Sequence, residues 1–145
     1  MVEQLSVFLE NKPGHLAQMT RVLADADINM RALMVADTEQ FGVVRIICDR
    51  PHAAKAALEE AGFGASLTRV IAVEIPDRPG GLAEVLETLG AASINVEYAY
   101  AFVEPGATAA VDIFKVDTAA AAEVLMAAGM NVIEPERLYE SDGAV

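Results

Sequence analysis

The chain is poor in the residues that most chemistry requires. Across 145 residues there is one cysteine, Cys48, so no internal disulfide can form and a reducing cytoplasm is the expected setting. Only two histidines occur, His15 and His52, and neither has a sequence neighbour that suggests a triad or a metal cluster. There is no Cys-x-x-Cys, which removes a thiolate metal site. No Gly-rich loop runs into Lys-Ser or Lys-Thr, so phosphoryl transfer has no support. Basic residues are few: 10 against 22 acidic ones, a formal charge of −12. Such a surface repels phosphate backbones and anionic headgroups, so neither nucleic acid nor a membrane is expected as a partner. No apolar run approaches the roughly 18 residues of a membrane span. Glu3 follows the start at once, where a signal peptide would carry a basic leader and an apolar stretch. Glu59, Glu60, Glu84 and Glu87 fall on solvent faces of helical stretches, the ordinary place for solubilising charge. No catalytic residue, metal or cofactor is expected.

What the chain does have is apolar residues, 54% of the total, and a repeat. Glu10-Asn11-Lys12-Pro13-Gly14-His15-Leu16 returns as Pro76-Asp77-Arg78-Pro79-Gly80-Gly81-Leu82, an offset of 66 from Pro13 to Pro79. Before each stretch apolar residues alternate, Leu5, Val7, Leu9 and Ile71, Val73, Ile75, as in a strand with one buried face. After each, Leu16, Met19, Leu23, Ala26 and Leu82, Val85, Leu89, Ala92 mark a helical stripe. Pro13 and Pro79 suit the first helical position, which makes Lys12 and Arg78 the expected caps. Neither side chain accepts a hydrogen bond, so the free N–H groups near Gly14 and His15 must be met by Asn11, water or a ligand. Two readings follow: a strand-to-helix turn completed by Asn11 or Asp77, or an anion site at a helix N-terminus, present twice.

The rest of the pattern continues in parallel. Ile28-Asn29 and Ile94-Asn95 open second strands, with turns expected at residues 37–40 and at Pro105-Gly106. Beyond the second hairpin the offset becomes 67: Ile113 answers Ile46, Leu125 answers Leu58, and Gly129 answers Gly62, which places Lys115 opposite Cys48. Cys48 then reads as a small strand residue, not a nucleophile. Asp117 is the expected cap of the last long helix. Closing strands are expected at residues 63–68 and 131–137. The expected fold is α+β: two ferredoxin-like βαββαβ domains in tandem, antiparallel sheets with helices on one face. The boundaries are 1–68, 69–140 and a tail at 141–145. A unit this small buries little surface alone, so the copies should pack on each other or on a second chain.

Leu5 to Leu16 followed by Ile28-Asn29 resembles the opening of ACT domains, the amino-acid-sensing regulatory modules of metabolic enzymes, and Ile75 to Leu82 with Ile94-Asn95 resembles a second. The likeness spans about residues 2–138 and is similar to free-standing tandem ACT proteins. The opening also resembles the small regulatory subunit of acetolactate synthase, whose second half is a different domain; here the second half repeats the first. The resemblance implies a non-catalytic cytoplasmic protein that binds an amino acid, modulates a partner metabolic enzyme and forms a homodimer. Carried over, it points to Asn11, Pro13, Gly14, His15 and Leu16 in one loop and Asp77, Gly80, Gly81 and Leu82 in the other, with Asn29 and Asn95 as weaker candidates. Asn11 can help hold a carboxylate or an ammonium, whereas Asp77 would repel a carboxylate, so the first loop is expected to carry the tighter carboxylate contact. The alternative reading is a ligand-free protein–protein interaction module.

Overall fold

The computed structural model describes residues 1–37, 41–103 and 106–139. Its elements run β1 (Val2–Glu10), α1 (His15–Asp25), β2 (Met30–Asp37), β3 (Phe41–Cys48), α2 (Pro51–Glu60), β4 (Gly64–Pro76), α3 (Gly81–Ala91), β5 (Val96–Phe102), β6 (Ala109–Val116), α4 (Ala120–Ala127), β7 (Asn131–Val132) and α5 (Pro135–Tyr139). Two compact units result. One holds residues 3–68 with the last helix from Glu136; the other holds residues 69–135 with Met1 and Val2. The expected turn at 38–40, Pro105 and the tail at 141–145 lie outside the described residues.

In the first unit β3 lies between β1 and β2, antiparallel to both, with Leu5 opposite Ile46 and Val7 opposite Val44. The alternation in β1 sends Leu5, Val7 and Leu9 to one face. There they meet Met19 and Leu23 of α1, Ala54 and Leu58 of α2, and Ile46 and Cys48 of β3 in one core. Full burial of a Leu, Ile or Met side chain stabilises by about 1.5–3 kcal/mol, so this face decides the fold. The second unit repeats it: β4 lies between β6 and β7, β6 pairs with β5, and Ile71, Val73, Ile75, Val85, Leu89, Phe114 and Leu125 form its core.

Several expectations are corrected. The closing strand of the first copy and the opening strand of the second are one strand, Gly64–Pro76. The closing strand at 131–137 is two residues long, after which Pro135 opens α5. A proline lacks the N–H that a ladder needs but is tolerated at a helix start. Tyr139 of that helix accepts a hydrogen bond at its hydroxyl from the Glu3 N–H at 2.8 Å, closing the first unit. Asp117 does not cap α4; the Thr118 hydroxyl accepts from the Ala120 N–H at 3.2 Å. The register also moves one equivalence. Leu5 faces Ile46 and Ile71 faces Phe114, so Phe114, not Ile113, answers Ile46. One strand pair further, Met30 faces Cys48 and Val96 faces Val116, so the counterpart of Cys48 is a buried valine, not Lys115.

That exchange agrees with the chemistry of Cys48. Burial pushes its thiol up to about 11, leaving little thiolate at neutral pH. At pH 8 the folded protein should resist iodoacetamide over a period in which the urea-unfolded chain reacts fully, as read by intact mass. Rapid labelling of the folded chain would show Cys48 to be a reactive thiol.

Candidate functional site

The two strand-to-helix loops are built alike. In the first, the Lys12 N–H donates to the Glu10 carbonyl at 2.8 Å and the His15 N–H to the Lys12 carbonyl at 3.3 Å. In the second, the Arg78 N–H donates to the Pro76 carbonyl at 2.9 Å and the Gly81 N–H to the Arg78 carbonyl at 3.1 Å. Gly14 and Gly80 then stand as the N-caps with φ of 86° and 89°, the left-handed region open to glycine. Their carbonyls accept from the N–H groups of Gln18 and Glu84 at 2.9 and 3.0 Å. Pro13 and Pro79 therefore precede the helices by two residues, and Lys12 and Arg78 are not the caps. The reason is the left-handed glycine, which turns the chain so that helical dihedrals begin only after it. No side chain caps either helix. The end of each helix thus keeps the partial positive charge and outward N–H groups that suit an anion.

Charge distinguishes the loops. In the first, Lys12 Nζ lies 2.6 Å from Glu10 Oε2. Their hydrogen bond holds the Glu10 carboxyl below its usual range and lifts the Lys12 ammonium above its own. In the second, Arg78 Nη2 donates to both carboxylate oxygens of Glu84 at 3.0 and 3.1 Å, which folds the guanidinium along the first turn of α3. The Asp77 N–H donates to the Thr108 carbonyl at 3.0 Å and ties this loop to the chain entering β6. The side chains of Asn11 and Asp77 are both exposed. At the first helical residue the copies part company. His15 is half-buried, whereas Gly81 is buried, and a Cβ there would lie 2.5 Å from the Pro76 carbonyl oxygen.

The candidate residues fall into two groups. Asn11, Pro13, Gly14, His15 and Leu16 share the first loop; Asp77, Gly80, Gly81 and Leu82 share the second. Leu16 and Leu82 are 39% and 45% exposed, so the buried stripes of α1 and α3 begin a turn later, at Met19 and Val85. Both leucines stand beside the uncapped helix ends. Asn29 and Asn95 lie beyond the far ends of α1 and α3, each 11 residues long. About 16 Å of helix therefore separates each from the loop of its own copy, at about 1.5 Å per residue. Asn29 instead forms a clasp. Its N–H donates to Asp49 Oδ1 at 3.0 Å, and its carbonyl accepts from the Asp49 N–H at 3.1 Å.

Residue pattern alone missed a cavity of about 460 Å³ beside the second loop. Ile75, Gly81, Glu84 and Thr108 line it, with the turn Ala128–Asn131. Its volume falls in the range of about 300–1,000 Å³ usual for small-molecule sites. The one signal in the sequence was the glycine at 81 where the other copy has His15. Among the described residues no group of three His, Cys, Asp or Glu side chains could hold a metal ion, and no helix is long and apolar enough to cross a membrane.

Comparison with known proteins agrees with this architecture. The chain is similar over 97% of its length to protein BT0572 from Bacteroides thetaiotaomicron, at 35% identity, with 96% of that chain covered and a TM-score of 0.90. It shares its fold with the ligand-free regulatory subunit of aspartate kinase from Thermus thermophilus, at 17% identity, 88% and 90% coverage and a TM-score of 0.68. The aspartokinase alpha and beta subunits share it too, at 18% identity, 86% and 87% coverage and a TM-score of 0.60. No curated protein matches the chain. The pattern of the family described as an ACT domain pair matches residues 1–141, nearly the whole chain and both of its strand-loop-helix openings: the chain belongs to the ACT domain pair family.

Proposed function

We propose that this ACT pair is a non-catalytic sensor that binds an amino acid and modulates a metabolic enzyme. The observation that carries the reading is the pair of loops. Each presents an uncapped helix N-terminus behind a left-handed glycine, and a carboxylate is the natural ligand of such an end. Structures of the same fold include regulatory subunits of aspartate kinase, which supports an enzyme partner of that general kind. In this reading Asn11, Pro13, Gly14, His15 and Leu16 hold one ligand and Asp77, Gly80, Gly81 and Leu82 another. Asn29 and Asn95, far from their own loops, act only if they face a loop of another copy. The protein works in the cytoplasm as a homodimer. Leu33 and Val35, exposed on β2 of the first unit, supply apolar surface for that contact.

A thermal-shift screen against the twenty common amino acids tests the reading. A ligand at about 100 times its Kd should stabilise the protein by roughly 2.7 kcal/mol. Calorimetry on Asn11→Ala and Asp77→Ala then separates the loops. Asn11→Ala should weaken binding more, because a carboxylate beside Asp77 meets a like charge worth roughly 1 kcal/mol in water at about 4 Å and about 4 kcal/mol at an effective dielectric near 20. Loss of binding from the Asp77 change alone would reverse the assignment. No shift with any amino acid would favour the second reading, a module that binds a partner protein and no metabolite. Exposed leucines, Leu16 in the first unit and Leu82 with Leu86 in the second, are apolar surface that each unit would offer in that reading.

A further inference from the structure

The helix-facing side of the second unit departs from that of the first at one patch. Asp112 of β6 pairs across the sheet with Val73 of β4 and Ala101 of β5, so its side chain shares the face of the core residue Val73. It is 6% exposed, and no hydrogen bond or ion pair holds its carboxylate among the described residues. The matching residue of the first copy is Val44, fully buried. The surroundings of Asp112 are thinner too. By register Ala101 and Ala99 stand where β2 has Val35 and Leu33, and by helix position Val85 stands where α1 has Met19. A buried carboxylate without a partner costs stability that a cation would recover. Here only an alanine separates it from the margin of the sheet.

That margin is open. Among the described residues β5 pairs with β6 and with no other strand. Its residues alternate: Ala99 and Ala101 are exposed on the side of Asp112, while Tyr98, Tyr100 and Phe102 are half-buried on the other. An unpaired edge is a template for a further strand. A residue opposite Ala101 on such a strand lies two strand spacings from Asp112, about 9.6 Å at about 4.8 Å each. An extended lysine, on its four-carbon stem, and an aspartate side chain span that distance together. The methyl of Ala101 leaves the path across β5 clear. The two neighbours of that lysine fall opposite Tyr100 and Phe102, where β-branched side chains pair well with aromatic ones. The charge of −12 on the chain draws basic segments in general, and Asp112 gives one of them a fixed register.

We propose that β5 is a docking edge for an extended segment of a partner protein, a strand whose lysine, flanked by β-branched residues, lies opposite Ala101 and pairs its ammonium with Asp112. This goes beyond an amino acid held at the loops and does not depend on it. The test is fluorescence anisotropy and NMR of the full chain with the labelled peptide acetyl-Ser-Thr-Thr-Val-Lys-Val-Thr-Thr-Ser-amide. Two counterparts carry norleucine or glutamate in place of the lysine. The lysine peptide should bind at least ten-fold more tightly than the norleucine peptide, and the glutamate peptide should not bind at 1 mM. Binding should shift the amides of residues 97–102 and slow hydrogen exchange at those that face the edge. Asp112→Asn should reduce the lysine peptide to the norleucine level and leave the norleucine peptide unchanged. Ala101→Val, which restores the first copy's residue, should weaken the lysine peptide while the amide spectrum keeps its folded dispersion. Asn11→Ala, the variant that tests the loop reading, should leave peptide binding unchanged, so the two readings fail separately. Equal binding of the lysine and norleucine peptides, an Asp112→Asn protein that still prefers lysine, peptide binding lost in Asn11→Ala, or no binding at 1 mM would each overturn the proposal. So would an Asp112→Asn protein whose sedimentation changes without peptide, since a second copy would then cover this edge.

Discussion

Gly81→Ala should destabilise the protein by about 1–3 kcal/mol, and Gly81→Val by more, although both changes replace a glycine at the first residue of a helix. Alanine in a helix interior is normally about 1 kcal/mol better than glycine. Here the added Cβ lies 2.5 Å from the Pro76 carbonyl oxygen and 3.0 Å from Cγ2 of Ile75. The oxygen is backbone, and it already accepts the Arg78 N–H at 2.9 Å, so it cannot turn aside without opening the loop. Overpacking of this kind costs about 1–3 kcal/mol, occasionally more, and outweighs the helical gain. At about 2–4 °C per kcal/mol for a chain of this size, Tm should fall by roughly 2–12 °C. Gly14→Ala is the instructive comparison. A Cβ there meets nothing within 4 Å, so its cost is only the left-handed backbone, about 1–2 kcal/mol. His15→Gly, at the position matching Gly81, should cost no more than the loss of helix propensity. Gly81→Ala as stable as the parent would mean that α3 can move off β4, and that the cavity wall is soft.

These glycines show where residue pattern reads well and where it stops. The duplication, the strand alternation ending at Leu9 and Ile75 and the stripes through Met19–Leu23 and Val85–Leu89 were legible, because burial on one face imposes the periods of strand and helix. The helix starts were not. Pro13 and Pro79 are good first helical residues, and only the positive φ of Gly14 and Gly80 moves the start past them. The last strand misread for a related reason: residues 131–137 take the place of the first copy's closing strand, but Pro135 has no N–H for a ladder. The register slip was hidden because it cancels. β5 is shifted by 66 from β2 and β6 by 68 from β3, while Leu125 and Gly129 stand 67 after Leu58 and Gly62, so two residues are gained at the hairpin and one of them is lost before α4. Of the site, the loops were legible as short motifs. The cavity was not, since its walls come from β4, α3, β6 and a turn that meet only in three dimensions.

Asp112→Val should raise stability at neutral pH by about 1–3 kcal/mol and Tm by roughly 2–12 °C. The corrected register is what exposes the position. Asp112 pairs across the sheet with Val73 and Ala101, and Val73 is a core residue of the helix-facing side. Val73 answers Val7 of the first copy, whose partner is Val44, so a carboxylate stands where the first copy buries a valine. It is 6% exposed, and burial raises its pKa above the usual aspartate range. The sign follows from linkage. The folded state holds the proton to higher pH than the unfolded chain, so Asp112 lowers stability as pH rises through and above its folded pKa, and the penalty vanishes below the ordinary value near 3.8. The gain from Asp112→Val should therefore be larger at pH 7 than at pH 3.5. Asp112→Asn, which keeps shape and polarity but cannot ionise, should recover only the pH-dependent part. Thermal denaturation of the three proteins at both pH values separates these contributions. A valine variant less stable than the parent at pH 7 would show that the carboxylate is held by partners stronger than its desolvation. If instead the variant gains stability but loses its thermal response to an amino acid, Asp112 is a ligand group, and the second copy gives up stability at this position for binding.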